Sequence, residues 1–329
     1  MRPLINRYWR LASLRYFFFG HILRLILIAV LVLVVVLYRM FVGPSPAVRS
    51  MLTMSLLESS ALKFVPYIFL QEETVNEIVE AASLKEEITE TDTSLIVIEE
   101  PTEEEKDLEL IPVSAPTSKG YIMIIRDPSR VFVGIADNIH ARGMYITELA
   151  EKYDAVAAIN ASGFSDAGGM SNGKDPLGLV VSEGKLISAG APKYTAAAFD
   201  KDNILHVGNF TAKDVEEMGL RDAAAWGPAL IQNGVPMEVS TATGLNPRTA
   251  IGQCADGSVL FLVLDGRYPS SLGATYADMI SILMEYGAVN ACNLDGGFSS
   301  VLLYEGERIS DVASIENIRK IPTAFMVRR

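Results

Sequence analysis

One stretch constrains this chain more than any other. Leu25 to Tyr38 is apolar without a break, and the run resumes past Arg39 through Met40, Phe41 and Val42. As a helix, residues 25–42 span about 27 Å at about 1.5 Å per residue, close to a hydrocarbon core of about 30 Å. Arg24 and Arg39 stand near its ends, where long cationic side chains reach the interface. Arg2, Arg7, Arg10 and Arg15 also precede the run, with no acid among them. That asymmetry predicts one transmembrane helix over residues 25–43, with residues 1–24 cytoplasmic and the rest outside the cell membrane. Ser45-Pro46-Ala47 offers the small residues of an export signal cleaved there, the alternative reading. A buried core helix would be shorter and would lack the basic flank.

The net charge is −12, and most of it is local: residues 71–110 carry 15 acidic and 2 basic side chains. The remainder is close to neutral, without the basic face that nucleic-acid binding needs. Residues 44–82 carry Leu52, Leu56, Leu57 and Leu62 at roughly helical spacing, then Glu72, Glu73, Glu77 and Glu80 on a polar face. They predict a juxtamembrane helix that lies on the bilayer, self-associates or serves as a spacer. Residues 83–118, with Glu103-Glu104-Glu105 and prolines at 101, 112 and 116, predict an extended, self-repelling linker. The β-prone patch Leu95-Ile96-Val97-Ile98 does not fit that reading.

Residues 119–329 have the texture of one compact domain. Strand candidates are Tyr121–Ile125, Arg130–Ile135, Ala155–Ile159, Leu177–Val181, Ala196–Phe199 and Ala224–Ile231. Glu183-Gly184, Asn233-Gly234, Asp256-Gly257 and Glu305-Gly306 mark hairpin turns. Helices are fewer: 145–153, 211–218 and 275–286, the last two opening with Thr and Asp at capping-box spacing. The pattern predicts an α+β fold with a mixed, largely antiparallel sheet and a few flanking helices.

Three stretches carry candidate chemistry. Asn293-Leu294-Asp295-Gly296-Gly297-Phe298-Ser299-Ser300 follows one strand candidate and precedes another, placing a carboxylate and two hydroxyls beside two permissive glycines. A tight turn in which Asp295 bonds its own backbone is the bland alternative. Arg248, at a strand entrance, has the planar fork that grips a phosphate, and Asp265 ends the run Val259–Leu264, which is too apolar for an edge. Asp265 is either catalytic or a structural partner of Arg248. Asn160, after Ala158-Ile159, can orient a sugar hydroxyl or water, or simply form a turn.

Asn160 to Phe164, Pro176 to Leu179 with Gly184-Lys185, Trp226-Gly227-Pro228-Ala229, Pro247 to Gly252, Asp265-Gly266-Arg267, Asn293 to Ser300 and Arg319 to Phe325 occur in order. Together they resemble the phosphodiester glycosidase family over roughly residues 120–329. Ser271 to Ala288 is similar to bacterial, Gram-positive-type members with an N-terminal anchor. Two positions depart from the family: Asn160-Ala161-Ser162-Gly163 replaces an Asn-Gly-Gly-like turn, and Phe298 stands where a small residue is usual.

The resemblance implies a surface-anchored hydrolase of sugar 1-phosphodiesters in envelope or exopolysaccharide material. A phosphomonoester leaves easily, with a second pKa of about 6, so what remains is a cation for the phosphate and a base or nucleophile at the anomeric carbon. Arg248 fits the first role, with Ser299, Ser300 and the N–H groups of Gly296 and Gly297. Asp265 or Asp295 fits the second, and Asn160 the orienting role. Arg267, Arg319 and Phe298 are further substrate-contact candidates. A non-catalytic glycan-binding or envelope-assembly module and a glycosyl transferase are the competing readings. No cofactor is implied, although Asp166, Asp175 and nearby carbonyls could hold a structural calcium. With only His21, His140 and His206, a catalytic triad or a His-built zinc site is not expected. Cys254 and Cys292, both in strand candidates, are expected as buried thiols rather than a disulfide. Nothing in the sequence sets an oligomeric state.

Overall fold

The computed structural model describes residues 2–59, 62–82, 88–98, 106–165, 172–190, 195–239, 243–311 and 319–329, with the backbone alone for 2–18. The apolar run lies within one helix, α1 (Arg2–Val42), whose segment Phe19–Val42 has mean hydropathy 3.0 and is long and apolar enough to cross a membrane. Its C-terminal carbonyls are capped by Arg49, whose Nε donates to Phe41 O (2.6 Å) and Nη2 to Gly43 O (2.9 Å).

The juxtamembrane segment is three helices rather than one: α2 (Pro46–Leu57), α3 (Pro66–Phe69) and α4 (Glu72–Ala82). Pro46 and Pro66 each sit in a first turn, where proline's missing N–H costs nothing, so each proline starts a new helix. The four helices pack as a collar around buried Phe41, Thr53, Val75 and Ile78.

The described part of the globular domain folds into three sheets in which every recorded strand pair is antiparallel. The first sheet runs β1 (Leu108–Ala115), β2 (Ser118–Ile125), β13 (Val259–Leu264), β12 (Arg248–Cys254), β14 (Ala288–Asn293), β10 (Ala229–Gln232) and β11 (Val235–Pro236). The second runs β16 (Glu307–Arg308), β15 (Leu302–Tyr304), β4 (Ala155–Asn160), β17 (Thr323–Arg328) and β3 (Val131–Ile135). The third runs β6 (Lys185–Ala189), β5 (Leu179–Ser182), β9 (Leu220–Ala225), β7 (Ala196–Asp200) and β8 (Leu205–Gly208).

The unbroken apolar run of β13 is explained by burial on both faces. Val259, Phe261 and Val263 join a central core with Val133, Ile159, Phe199 and Phe325 from the other two sheets. Leu260, Leu262 and Leu264 point the other way, against Met279 and Leu283 of α7 (Tyr276–Glu285). Each such side chain contributes about 1.5–3 kcal/mol on burial. Ile146 and Leu149 of α5 (Ile146–Lys152) cover the second sheet, and Val215 of α6 (Ala212–Glu217) covers the third. The Thr211–Asp214 and Thr275–Asp278 capping boxes form as expected.

Two further expectations are corrected. The acidic segment is not all linker: Leu108–Ala115 pairs with β2 as the edge strand β1. Upstream, Ile96 is buried, Val97 N donates to Ala255 O (2.8 Å), and Gln232 brackets the Thr89 backbone through both its amide atoms. The apolar residues win over local charge because the sheet offers them a partner. The candidate strand Ala224–Ile231 is in fact two strands in different sheets, β9 and β10, broken at Trp226-Gly227-Pro228.

Candidate active site

That break lines one wall of a cavity of about 640 Å³. Trp226, Gly227 and Pro228 face Asn246, Arg248, Arg267 and Tyr276, with Asp295, Gly296 and Gly297 completing the rim and Thr195, Asn209 and Glu58 closing it. The topology accounts for the convergence. The chain crosses from the third sheet to the first at 226–228 and from the first to the second at 294–301, and both crossings lie at the same place.

Arg248 is buried at the start of β12, where its Nη2 donates to Gly244 O (2.8 Å) and its Nε to Ala274 O (3.2 Å). Its guanidinium lies 4.3 Å from the centroid of the Tyr276 ring. Burial works against its charge, but Glu58 and Tyr276 outweigh that and hold its pKa above the ordinary value. Arg267 takes a positive φ of 66° and sends Nη2 to Asn246 Oδ1 (3.0 Å), while its guanidinium stacks 4.5 Å from the Phe298 ring. Burial pulls its pKa down, and Arg248 and Arg319 add to that against Glu58. Two crowded cations on one wall make a subsite for an anion. Glu58, at the end of α2, already supplies one: its Oε2 lies 3.3 Å from Arg248 Nη1 and accepts from Asn246 Nδ2 at 2.5 Å.

Asp295 lines the same cavity, and its Oδ1 accepts from Gly296 N (3.0 Å). The other donor of the pair, Gly297 N, is taken by Pro247 O (2.9 Å), so these two N–H groups hold the loop and do not face a ligand. Gly297 has φ +63°, the left-handed conformation that lets the chain turn under Arg267. Asn160 is fully buried and fully engaged. Its Nδ2 donates to Asp295 O, and its Oδ1 accepts from Thr249 Oγ1 (2.8 Å) and Val301 N (3.1 Å). It therefore bolts the Asp295 loop to two strands and has little amide capacity left for sugar or water.

Other candidates lie elsewhere. Asp265 opens onto a different cavity, of about 440 Å³, with Lys119, Tyr121 and Asp311. There its Oδ1 accepts from Asp311 N (3.0 Å), while burial and the Asp311 charge push its pKa up to about 7. It follows Leu264, the cross-strand partner of Arg248, but its carboxylate faces Lys119, Tyr121 and Asp311 and not the Arg248 cavity. Ser299 and Ser300 are buried and do not line the cavity, and Phe298 supplies the ring on which Arg267 stacks. Arg319 stacks with its guanidinium 4.7 Å from the centroid of the Phe164 ring, and its charge acts on Arg267.

Asp166 lies outside the described residues, and Asp175 is engaged by His140 and Lys174. Among the described residues no group of three or more His, Cys, Asp or Glu side chains is arranged to hold a metal ion. Cys254 and Cys292 are both buried thiols, with no disulfide between them.

Sequence reasoning missed Glu58, Thr195, Asn209 and Tyr276 as cavity residues. The motif Trp226-Gly227-Pro228 was the available signal for that wall. Its glycine partner was another: a Cβ on Gly163 would fall 1.8 Å from the Trp226 ring, so only glycine lets the indole lie there.

A sequence profile of the phosphodiester glycosidase family matches residues 153–328. YomE, an uncharacterized SPbeta prophage-derived protein of Bacillus subtilis, is 33% identical over 180 residues, 51% of this chain and 27% of its own. The mouse N-acetylglucosamine-1-phosphodiester alpha-N-acetylglucosaminidase is 25% identical over 215 residues, 57% of this chain and 40% of its own. The match thus spans less than half the length of either relative. The solved catalytic domain of the zebrafish N-acetylglucosamine-1-phosphodiester alpha-N-acetylglucosaminidase, auto-inhibited by its pro-peptide, superposes with a TM-score of 0.59. At 19% identity over 69% of this chain and 85% of that one, the likeness establishes the shared fold.

Proposed function

Because this chain belongs to the phosphodiester glycosidase family, we propose that its Arg248 cavity hydrolyses the bond between an anomeric carbon and phosphate in a sugar 1-phosphodiester. The supporting observation is the pairing, across one cavity, of two guanidinium groups with the carboxylate of Asp295. The phosphodiester oxygens take the place of the Glu58 carboxylate against Arg248 and Arg267. The sugar lies on the flat face of Trp226. Asp295 attacks the anomeric carbon or activates the water that does. The C–O bond breaks with its electron pair passing to phosphate, and water supplies the hydroxyl of the free sugar and the proton balance of the phosphomonoester. Because phosphate leaves as a stabilised anion, the guanidinium pair does the work that a protonated carboxylic acid does in ordinary glycosidases.

The N-terminal helix anchors the chain in the cell membrane as a single span, with the globular domain outside, by the arginine asymmetry of residues 1–24. Envelope or exopolysaccharide phosphodiesters are the substrates within reach of such a domain.

The test is release of free sugar from a panel of sugar 1-phosphodiesters by the full chain in mild detergent, with Asp295→Asn, Arg248→Lys and Arg267→Lys alongside. Loss of turnover in Asp295→Asn and a raised KM in the arginine variants support the reading. Unchanged turnover in Asp295→Asn overturns it, and binding of a glycan fragment without any turnover favours a binding module.

A further inference from the structure

The collar joins the end of the apolar helix to the cavity, and it carries an apolar surface that the domain does not cover. Leu62, Phe64, Tyr67 and Ile68 are 45%, 59%, 48% and 64% exposed, with exposed Lys63 among them. Such a cluster on a folded turn is costly in water and normally marks a contact surface. Its position identifies the contact. Phe69, next to Ile68, stacks on Phe41 in the last turn of α1, with ring centroids 5.0 Å apart and planes 9° from parallel. The patch is therefore held at the level where the apolar helix ends, which is where a bilayer's headgroup region begins. Aromatic, aliphatic and lysine side chains together are the composition that this region accepts.

The other end of the same segment is in the cavity. Successive turns, Leu62 N to Ser59 O (3.2 Å), Val65 N to Leu62 O (3.0 Å) and Ile68 N to Val65 O (3.0 Å), keep it compact. Ser55 Oγ accepts from Leu245 N (2.8 Å) and Glu58 meets Arg248 and Asn246, so the collar is fastened to the cavity rim. Phe64 follows Glu58 by six residues, which limits the path between them to about 20 Å even if fully extended.

We infer that the Leu62–Ile68 patch docks on the bilayer surface and presents the cavity to sugar 1-phosphodiesters carried on membrane lipids. The substrate clause rests on the phosphodiester glycosidase reading above, and the docking clause does not. A diester confined to the same membrane meets the cavity at a high effective concentration, whereas one in bulk water must find a mouth that faces the lipid surface.

The experiment uses the full chain in nanodiscs of phosphatidylcholine and phosphatidylglycerol. Spin labels on Phe64→Cys and Ile68→Cys, with Cys254→Ala and Cys292→Ala as background, are relaxed by oxygen or by a water-soluble nickel chelate. Relaxation favouring oxygen at both sites is expected, and relaxation favouring the chelate overturns the docking. In the same discs, the chain is given one sugar 1-phosphodiester in two forms, one on a lipid tail and one with a short soluble alcohol. The lipid-borne form is expected to have the higher kcat/KM by about tenfold or more. Phe64→Ser with Ile68→Ser should erase that preference while leaving turnover of the soluble form unchanged. Equal kcat/KM for the two forms in the unaltered chain overturns the substrate clause. No turnover of either form sinks the phosphodiester glycosidase reading and the substrate clause with it, while the labels still decide the docking.

Discussion

Replacing Asp265 with asparagine isolates the carboxylate that the fold separates from the Arg248 cavity. Its pKa is pushed up to about 7 from an ordinary 3.8, first by burial and then by the Asp311 charge, with the Asp311 N–H opposing. An acid whose folded-state pKa is raised binds its proton more tightly when folded, so stability is greatest below about pH 4 and falls as pH rises toward 7. Each unit is about 1.4 kcal/mol, so the full penalty at pH 8 is about 4 kcal/mol. The introduced amide would mimic the protonated acid and could still accept the Asp311 N–H at its carbonyl oxygen. The stability difference between Asp265→Asn and the unaltered chain should therefore grow by about 3 kcal/mol between pH 5 and pH 8, in favour of the variant. Comparing the two proteins cancels the titration of every group that is not coupled to Asp265. Urea unfolding in detergent, followed by the fluorescence of Trp226 in a Trp9→Phe background, measures it at both pH values. A difference that is flat with pH, or a variant that is less stable at pH 8, would refute the argument that burial dominates at this carboxylate.

The remaining predictions concern the Arg248 cavity. Glu58→Gln removes the anion from Arg248 while a side-chain oxygen remains to accept from Asn246, so inorganic phosphate should bind about tenfold more tightly by calorimetry, the lower end for a charged hydrogen bond. Unchanged affinity would mean that Glu58 and phosphate do not compete. Gly163→Ala drives a methyl into the Trp226 ring and should cost about 1–3 kcal/mol, read as a fall in Tm. Asn160→Ala orphans Thr249 Oγ1 and Val301 N in a buried site, about 1–3 kcal/mol for each group that finds no water. It also releases the Asp295 backbone, so kcat should fall more than KM rises. A normal kcat in a folded Asn160→Ala protein would show that Asp295 is held by other contacts.

The apolar run, the arginines before it, the paired Thr and Asp of the capping boxes and the two-faced strand Val259–Leu264 were legible without any structure. Each depends on spacing within one element, and the backbone's 3.6- and 2-residue periods turn spacing directly into faces and ends. The glycosidase resemblance likewise rests on short ordered motifs. Tertiary structure alone decided which carboxylate joins Arg248. Asp265 and Asp295 follow the two strands that flank β12, yet the Asp265 carboxylate faces Lys119, Tyr121 and Asp311, while the crossing from β14 to β15 brings Asp295 beside Trp226. The role of Asn160 changed for the same reason, because its three partners come from residues 249, 295 and 301. Glu58 was furthest from sight: it lies in a segment that reads as juxtamembrane helix, 190 residues before Arg248. No local pattern encodes such a contact. It forms because Gly244 leaves space for the backbone of Met54 and Ser55 to pack against it, and two cations there need an anion.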